Sequence, residues 1–190
     1  MNDTTTPEFF EAKYQRDSDP WNFHSSEYEQ RRYSSIISML AGTIYRRAFE
    51  PGCSIGVLTA KLAPLCNELI AIDVAPTAVE SAALLCSPYP HIDIRVGSLP
   101  ASIPDGSFDL ILFSEIGYYF EELQLAAVGK LLVSRLENHG VLLAAHWLGH
   151  SDDHLLSGER VHQVLARLDG LHLQHTERHQ GFHLHKWVRA

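Results

Sequence analysis

Apolar and polar positions along this chain follow two periods, and the places where one gives way to the other mark the expected elements. From Ile44 onward, apolar runs of strand length alternate with stretches of helical period, which is the signature of a parallel, doubly wound α/β sheet. Strands are expected over residues 45–50, 68–74, 93–97, 108–114 and 140–146, and helices over 57–65, 75–86 and 121–137. The last of these helices carries Leu125, Val128, Leu132 and Leu136 as one apolar stripe. Residues 100–104 form a short irregular link, and Pro104-Asp105-Gly106-Ser107 has turn composition. After His146 the pattern changes: a helix is expected over 158–168. Two strands follow, over 171–178 and 181–189, joined around Gln180-Gly181 as an antiparallel pair.

The amino-terminal stretch is patterned differently. Residues 1–7 are polar and expected to fray, 7–14 suit a short helix, and 17–23 are turn-forming sequence rich in aromatics. Ser25 or Ser26 can cap the next helix, with Glu29 three residues beyond Ser26 completing a capping box. Tyr33, Ile36, Ile37 and Leu40 then repeat at helical spacing up to a stop near Gly42, giving one face to pack on the sheet. Tyr14, Trp21, Phe23 and Tyr28 are more aromatics than so short a segment needs. Two readings stay open, a satellite core and a lid over a ligand site. The expected organisation is one domain over 1–190, with a helical lid segment over 1–42 and an α/β core over 43–190.

Length and charge narrow the class. A chain of 190 residues with 45% hydrophobic content fits one domain that folds without metal or disulfide. Acidic residues number 23 against 15 basic ones, a net charge of −8 with no Lys/Arg run, so nucleic acid and anionic membrane are not expected partners. Cys53, Cys66 and Cys86 are odd in number and lack C-x-x-C spacing, which argues against a disulfide framework or structural zinc. No leader-like segment or membrane-length apolar run is present, and the expectation is a soluble cytoplasmic protein, monomeric or homodimeric.

The stretch with most chemical content is Glu50-Pro51-Gly52-Cys53-Ser54-Ile55-Gly56, with Ile72-Asp73-Val74 closing the next strand. Gly52 and Gly56 suit close backbone approach and tight helix packing, and Asp73, 17 residues after Gly56, is placed to accept hydrogen bonds from ribose hydroxyls. A dinucleotide site would use G-x-G-x-x-G, because a pyrophosphate must sit on the helix amino terminus. Here the central glycine is missing, and Glu50 would repel a phosphate while suiting an ammonium group and a sulfonium. The indicated ligand is S-adenosylmethionine, and an oxidoreductase is disfavoured; the bland alternative is an ordinary strand-to-helix turn. Other unusual residues fall at the carboxyl ends of the expected strands, where doubly wound sheets bind ligands. Ser98 follows the third, Ser114-Glu115-Ile116-Gly117-Tyr118-Tyr119 ends the fourth, and His146-Trp147 ends the fifth. Asp109, at a strand entry, reads as structural.

The order E-x-G-C-x-x-G, I-D-V, G-S-L, F-D-L-I-x-x-x-E-x-x-Y-Y resembles the class I S-adenosylmethionine-dependent methyltransferases. It is most similar to the group of nodulation protein S N-methyltransferases, through Asp19-Pro20-Trp21, Tyr28-Glu29-x-x-Arg32, Gly52-Cys53, and Glu115 followed by Tyr118-Tyr119. The resemblance covers nearly the whole chain. It implies a Rossmann-like, mostly parallel seven-stranded sheet with an antiparallel last strand. It implies that Glu50, Gly52, Cys53 and Gly56 surround the methionine part of the cofactor, Asp73 holds the ribose, and Val74 lies against adenine. Ser98 and Leu99 would stand near the adenine edge, Ser114 and Glu115 near the amino-acid end, and Arg32 would pair with the cofactor carboxylate. Two residues depart from the commonest family pattern, Ser54 where many relatives have glycine and Ser98 where most have an acid. Ser98 is the weaker acceptor for the adenine amino group.

Methyl transfer from a sulfonium to an amine needs alignment and exclusion of water, with a base only to take the departing proton and S-adenosylhomocysteine as product. Glu115, Tyr118, Tyr119 and His146 are the candidate bases; a histidine's ordinary pKa of about 6.5 suits His146 best, against the alternative that it simply packs beside Trp147. Trp21, Tyr118, Tyr119 and Trp147 could stack on a sugar ring, or could serve as core or lid packing. By resemblance the acceptor is an amino group on a glucosamine-containing saccharide or related glycoside. O-methylation of a small molecule and a catalytically silent nucleoside-binding scaffold are the alternatives. Of twelve histidines, His146, His150, His154 and His162 follow the fifth strand, and His183 and His185 share a face of the last. With no H-E-x-x-H pattern a metal role is not expected, and neighbouring histidines on a polar strand face are usually solvated.

Overall fold

The computed structural model describes residues 6–190. The expected fraying of residues 1–5 lies outside that range, but Thr6 and Pro7 are not frayed. Thr6 accepts a hydrogen bond from the Phe9 N–H and caps α1 (Pro7–Arg16), in which proline takes the first position. By its internal contacts the chain divides into two compact units, the first ending at Ser98 and the second running from Leu99 to Ala190.

The first unit continues with α2 (Glu27–Leu40), β1 (Ala48–Pro51), α3 (Val57–Leu62), β2 (Leu69–Asp73), α4 (Pro76–Leu85) and β3 (Ile92–Val96). Its strands pair in parallel, β1 with β2 and β2 with β3. Every residue of β1 and β2 is buried, the carboxylates Glu50 and Asp73 included, while β3 is largely exposed. Strand β1 starts three residues later than expected, because Tyr45 makes only an isolated bridge to Cys66. Ser26 caps α2 through the Glu29 N–H, as expected, but the Glu29 carboxylate pairs with Arg32. Tyr33, Ile36 and Leu40 form its buried stripe.

The second unit holds β4 (Phe108–Ser114), α5 (Glu122–Arg135), β5 (Leu136–Trp147), α6 (Gly158–Leu165), β6 (Leu171–Arg178) and β7 (Phe182–Arg189). Here the sequence reading needs one correction. Helix α5 stops at Arg135, and Leu136, assigned to its stripe, is the first residue of β5. The pairing of β4 with β5 shifts register after Phe108, with His139 at φ 65° in the irregular stretch before Val141. Leu136 stays fully buried because the strand, like the helix, turns it inward. The expected hairpin forms, closed by His179 N–H to the Phe182 carbonyl, and β7 is antiparallel to both β6 and β5. Within the first unit the strand order is β3-β2-β1, and within the second it is β4-β5-β7-β6. Among the described residues, no helix is long and apolar enough to cross a membrane.

Candidate functional site

In the first unit the chain leaves β1 through a loop whose backbone is pinned to β2. The N–H groups of Gly52 and Cys53 both donate to the Ile72 carbonyl, at 2.7 and 3.0 Å. Gly52, Ser54 and Gly56 all adopt positive φ, at 79°, 51° and 82°. At Gly56 a side chain is excluded twice, by φ and because a Cβ would lie 2.9 Å from Ala82 Cα on α4. That is the helix packing expected of the second glycine. Cys53, Ala71 and Ala82 close the core beneath.

Two carboxylates stand at the ends of the first two strands. Asp73 organises the loop: its Oδ2 accepts from Ser54 N–H at 2.8 Å and its Oδ1 from Ala75 N–H at 3.0 Å. Burial raises its pKa, and the backbone N–H groups of Ala75, Ser54 and Val74 work against that rise. Glu50 is different. It is 3% exposed, and among the described residues its Oε2 has no hydrogen-bond partner. Burial pushes its pKa up to about 7, the nearby Thr59 hydroxyl offsets part of the rise, and the charge of Asp73 adds to it. A buried, partnerless carboxylate oxygen is costly unless something cationic meets it, and that matches an ammonium group.

The amino-terminal helix is tied to this loop. Tyr14 O–H donates to Ser54 Oγ at 2.5 Å, and the Glu11 carboxylate accepts from Thr77 N–H and Oγ–H at 3.1 and 2.6 Å. Glu11 thereby supplies the first turn of α4 with the anion its amino terminus favours. Neither link was legible in the sequence beyond the surplus of aromatics near Tyr14. Asp19 builds the turn before α2 by accepting from Phe23 and His24 N–H, and Trp21 packs between Tyr14 and Phe23 at ring distances of 5.5 and 5.7 Å. Arg32 is buried and paired with Glu29, so its charge is already met within α2. Val74 and Ser98 are half-buried, each just beyond the end of its strand.

In the second unit Leu99 is half-buried and Ser114 is buried at the end of β4. Glu115, at φ 58°, uses both carboxylate oxygens within the unit: Oε1 accepts from Trp147 N–H at 2.7 Å and Oε2 from Tyr118 O–H at 2.8 Å. These contacts bring together Glu115, Tyr118 and Trp147, as the sequence suggested. They also bring in a residue whose role was missed. His154 stacks on Tyr118 at 3.7 Å and meets the Tyr119 and Trp147 rings at 5.3 and 6.0 Å, so the aromatic wall rests on a histidine of the loop after β5.

His146 does not stand open to an acceptor. It is fully buried, and its Nε2 accepts from Gly117 N–H at 3.1 Å. Its Nδ1 lies 3.3 Å from His162 Nε2, and His162 Nδ1 lies 2.8 Å from His185 Nδ1. Because a backbone N–H can only donate, the tautomers follow in sequence: His146 carries its proton on Nδ1, His162 on Nδ1, and His185 accepts. The expectation that the histidines on the last strand are solvated is therefore corrected. His162 on α6 joins His183 and His185 on β7 in one packed group, while His150 is exposed. The pairing of α6 with the hairpin, invisible in sequence spacing, decides this.

The parallel β1–β3 set of the first unit and the antiparallel β7 of the second are features of the class I methyltransferase fold. The chain belongs to the nodulation protein S (NodS) family, whose profile matches residues 8–169. Nodulation protein S of Bradyrhizobium diazoefficiens is 34% identical over 125 residues, covering 62% of this chain and 57% of that protein. The Sinorhizobium fredii protein is 36% identical over 107 residues, covering 55% and 49%. The chain thus spans about half the length of the curated relatives it matches. Among solved structures, a candidate methyltransferase from Pseudomonas syringae is 34% identical, with a TM-score of 0.76 over 86% of this chain and 100% of that one. The N-methyltransferase NodS from Bradyrhizobium japonicum, in complex with S-adenosylhomocysteine, has a TM-score of 0.84 over 98% and 99% at 23% identity. That identity bears on the fold alone.

Proposed function

We propose that the chain is an S-adenosylmethionine-dependent methyltransferase acting on a small-molecule amine, with an amino group on a glucosamine-containing saccharide or related glycoside as acceptor. The observation that carries the reading is Glu50, a buried carboxylate with a partnerless oxygen beside the Gly52–Gly56 loop. When bound, the cofactor supplies an electrophilic methyl group that an amine lone pair can take, leaving a neutral thioether. Glu50 would receive the ammonium end in ionised form, and Asp73, with lone pairs beyond its backbone bonds, would receive the ribose hydroxyls. Gly52 and Gly56 keep the loop free of side chains, and Val74 and Ser98 would border the adenine.

An amine acceptor is favoured over a hydroxyl by the state of the candidate bases. His146, Glu115 and Tyr118 each already serve a hydrogen bond within the second unit, and an amine that arrives neutral needs only to shed a proton after transfer. In this reading Glu115 is a positioning residue, holding Tyr118 and the Trp147 backbone so that the aromatic wall suits a sugar ring. The test is a calorimetric titration of the purified chain with S-adenosylhomocysteine, with NAD as the comparison. Micromolar binding of the former alone, about −8 kcal/mol, followed by methylation of amino sugars, is the expected outcome. Binding of NAD instead would overturn the cofactor, and turnover with phenols alone would overturn the acceptor.

A further inference from the structure

Three histidines of the second unit each offer a ring nitrogen, and these nitrogens lie within 4.8 Å of one another. His183 and His185 stand two residues apart on β7 and so share a face, and His162 on α6 packs on them at ring distances of 4.9 and 4.7 Å. Among the described residues the buried His183 Nδ1 has no hydrogen-bond partner, while its Nε2 lies 3.2 Å from Thr176 Oγ1. We propose that His162, His183 and His185 bind one divalent late transition-metal ion, with Zn2+ the best chemical match, clamping α6 to the β6–β7 hairpin.

The donor set decides the metal class. Three imidazole nitrogens suit zinc, copper or nickel and are poor ligands for magnesium or calcium, which take oxygen. The carboxylate of Glu159 is engaged by Arg178 at 2.6 Å. A ligating imidazole must be neutral, and burial lowers the pKa of all three, to about 4 for His185. Two of the three rings would also be oriented from outside the site, His183 by Thr176 and His162 by His146.

The hydrogen bookkeeping gives this site a signature. Without metal, the His162 Nδ1 proton bridges to His185 Nδ1. Ligation by His162 Nδ1 moves that proton to Nε2, which faces His146 Nδ1. His146 must then carry its own proton on Nε2 and can no longer accept from Gly117 N–H. No proton is gained or lost overall, but the Gly117–His146 bond is broken.

The experiment titrates the chelator-stripped full chain with ZnCl2 by calorimetry, beside His183→Ala, His185→Ala and the exposed-site control His150→Ala, each checked for native circular dichroism. One Zn2+ per chain is expected, at micromolar affinity or tighter. Each ligand variant should bind roughly tenfold or more weakly, and the control should bind like the parent. In parallel, the Gly117 amide resonance should shift and exchange faster on zinc addition, and Co2+ should give the intensified visible absorption of four-coordination. The proposal is overturned by absence of micromolar binding, by ligand variants that bind like the parent, or by an unmoved Gly117 amide.

Discussion

The two units bury polar groups of opposite kind and treat them in opposite ways. In the first, two acids lie at strand ends, Asp73 with both oxygens bonded to backbone N–H groups and Glu50 with one oxygen left without a partner. In the second, neutral histidines satisfy each other in a row that starts from the Gly117 N–H and ends at His185. A chain of partners closes a region on itself, whereas a buried oxygen without one is held ready for something else. Glu50 therefore suits a cationic ligand group, whereas the more densely bonded His146 does not.

The largest effect that would test this contrast is structural. Gly56→Ala should destabilise the first unit by about 3 kcal/mol or more, from the left-handed backbone and the contact with Ala82, measured by urea unfolding. His146→Ala should cost about 3 kcal/mol of stability through its cavity and the stranded Gly117 N–H, with S-adenosylhomocysteine affinity unchanged. A stable variant with reduced turnover would instead return His146 to the chemistry. Glu50→Gln should weaken S-adenosylhomocysteine binding by about 2 kcal/mol without loss of stability, since it removes a buried acid. Unchanged affinity would contradict the ammonium assignment.

The smaller effects concern pH and the loop. Glu50 has a folded pKa of about 7, raised above its ordinary 4.5, so its contribution to stability is fully present below 4.5 and is lost as pH rises through 7. His185 has a folded pKa of about 4, lowered from 6.5, so its contribution is present above 6.5 and is lost as pH falls through 4. Residue-resolved hydrogen exchange across pH 4 to 7 should therefore show opposite trends in the two units. Trends of the same sign would break the contrast. Ser54→Gly should change stability least, within about 1 kcal/mol, because relief of the φ 51° backbone offsets loss of the Tyr14 bond. Tyr14→Phe, which loses the bond and gains nothing, should be the more damaging of the two.

Much of this was legible in the sequence for identifiable reasons. The strands β1, β2 and β4 are short, mostly apolar runs with an acid or a serine at or next to their last residue, and the Gly52–Gly56 spacing marks a turn. The end of α5 was misread because Leu136 fits both the helical stripe and the first inward position of β5; apolar period cannot separate them when no glycine or proline intervenes. The strand-face pair His183 and His185 was misread as solvated, and the contacts of His154 and His162 were missed, because their neighbours come from other elements.

Local chemistry thus determined, from the sequence alone, the α/β order, the glycine turn and the acids that end the first two strands. Backbone geometry at Gly56 and the burial of continuous apolar strands need no distant partner to be specified. Only the tertiary structure decided which polar groups are spent. Docking of α6 on the hairpin turned scattered histidines into one bonded row, Glu115 was committed to Tyr118 and Trp147, and Glu50 kept an oxygen without a partner. Hydrogen-bond satisfaction depends on which elements meet, and residues far apart in the chain carry no record of that in their spacing.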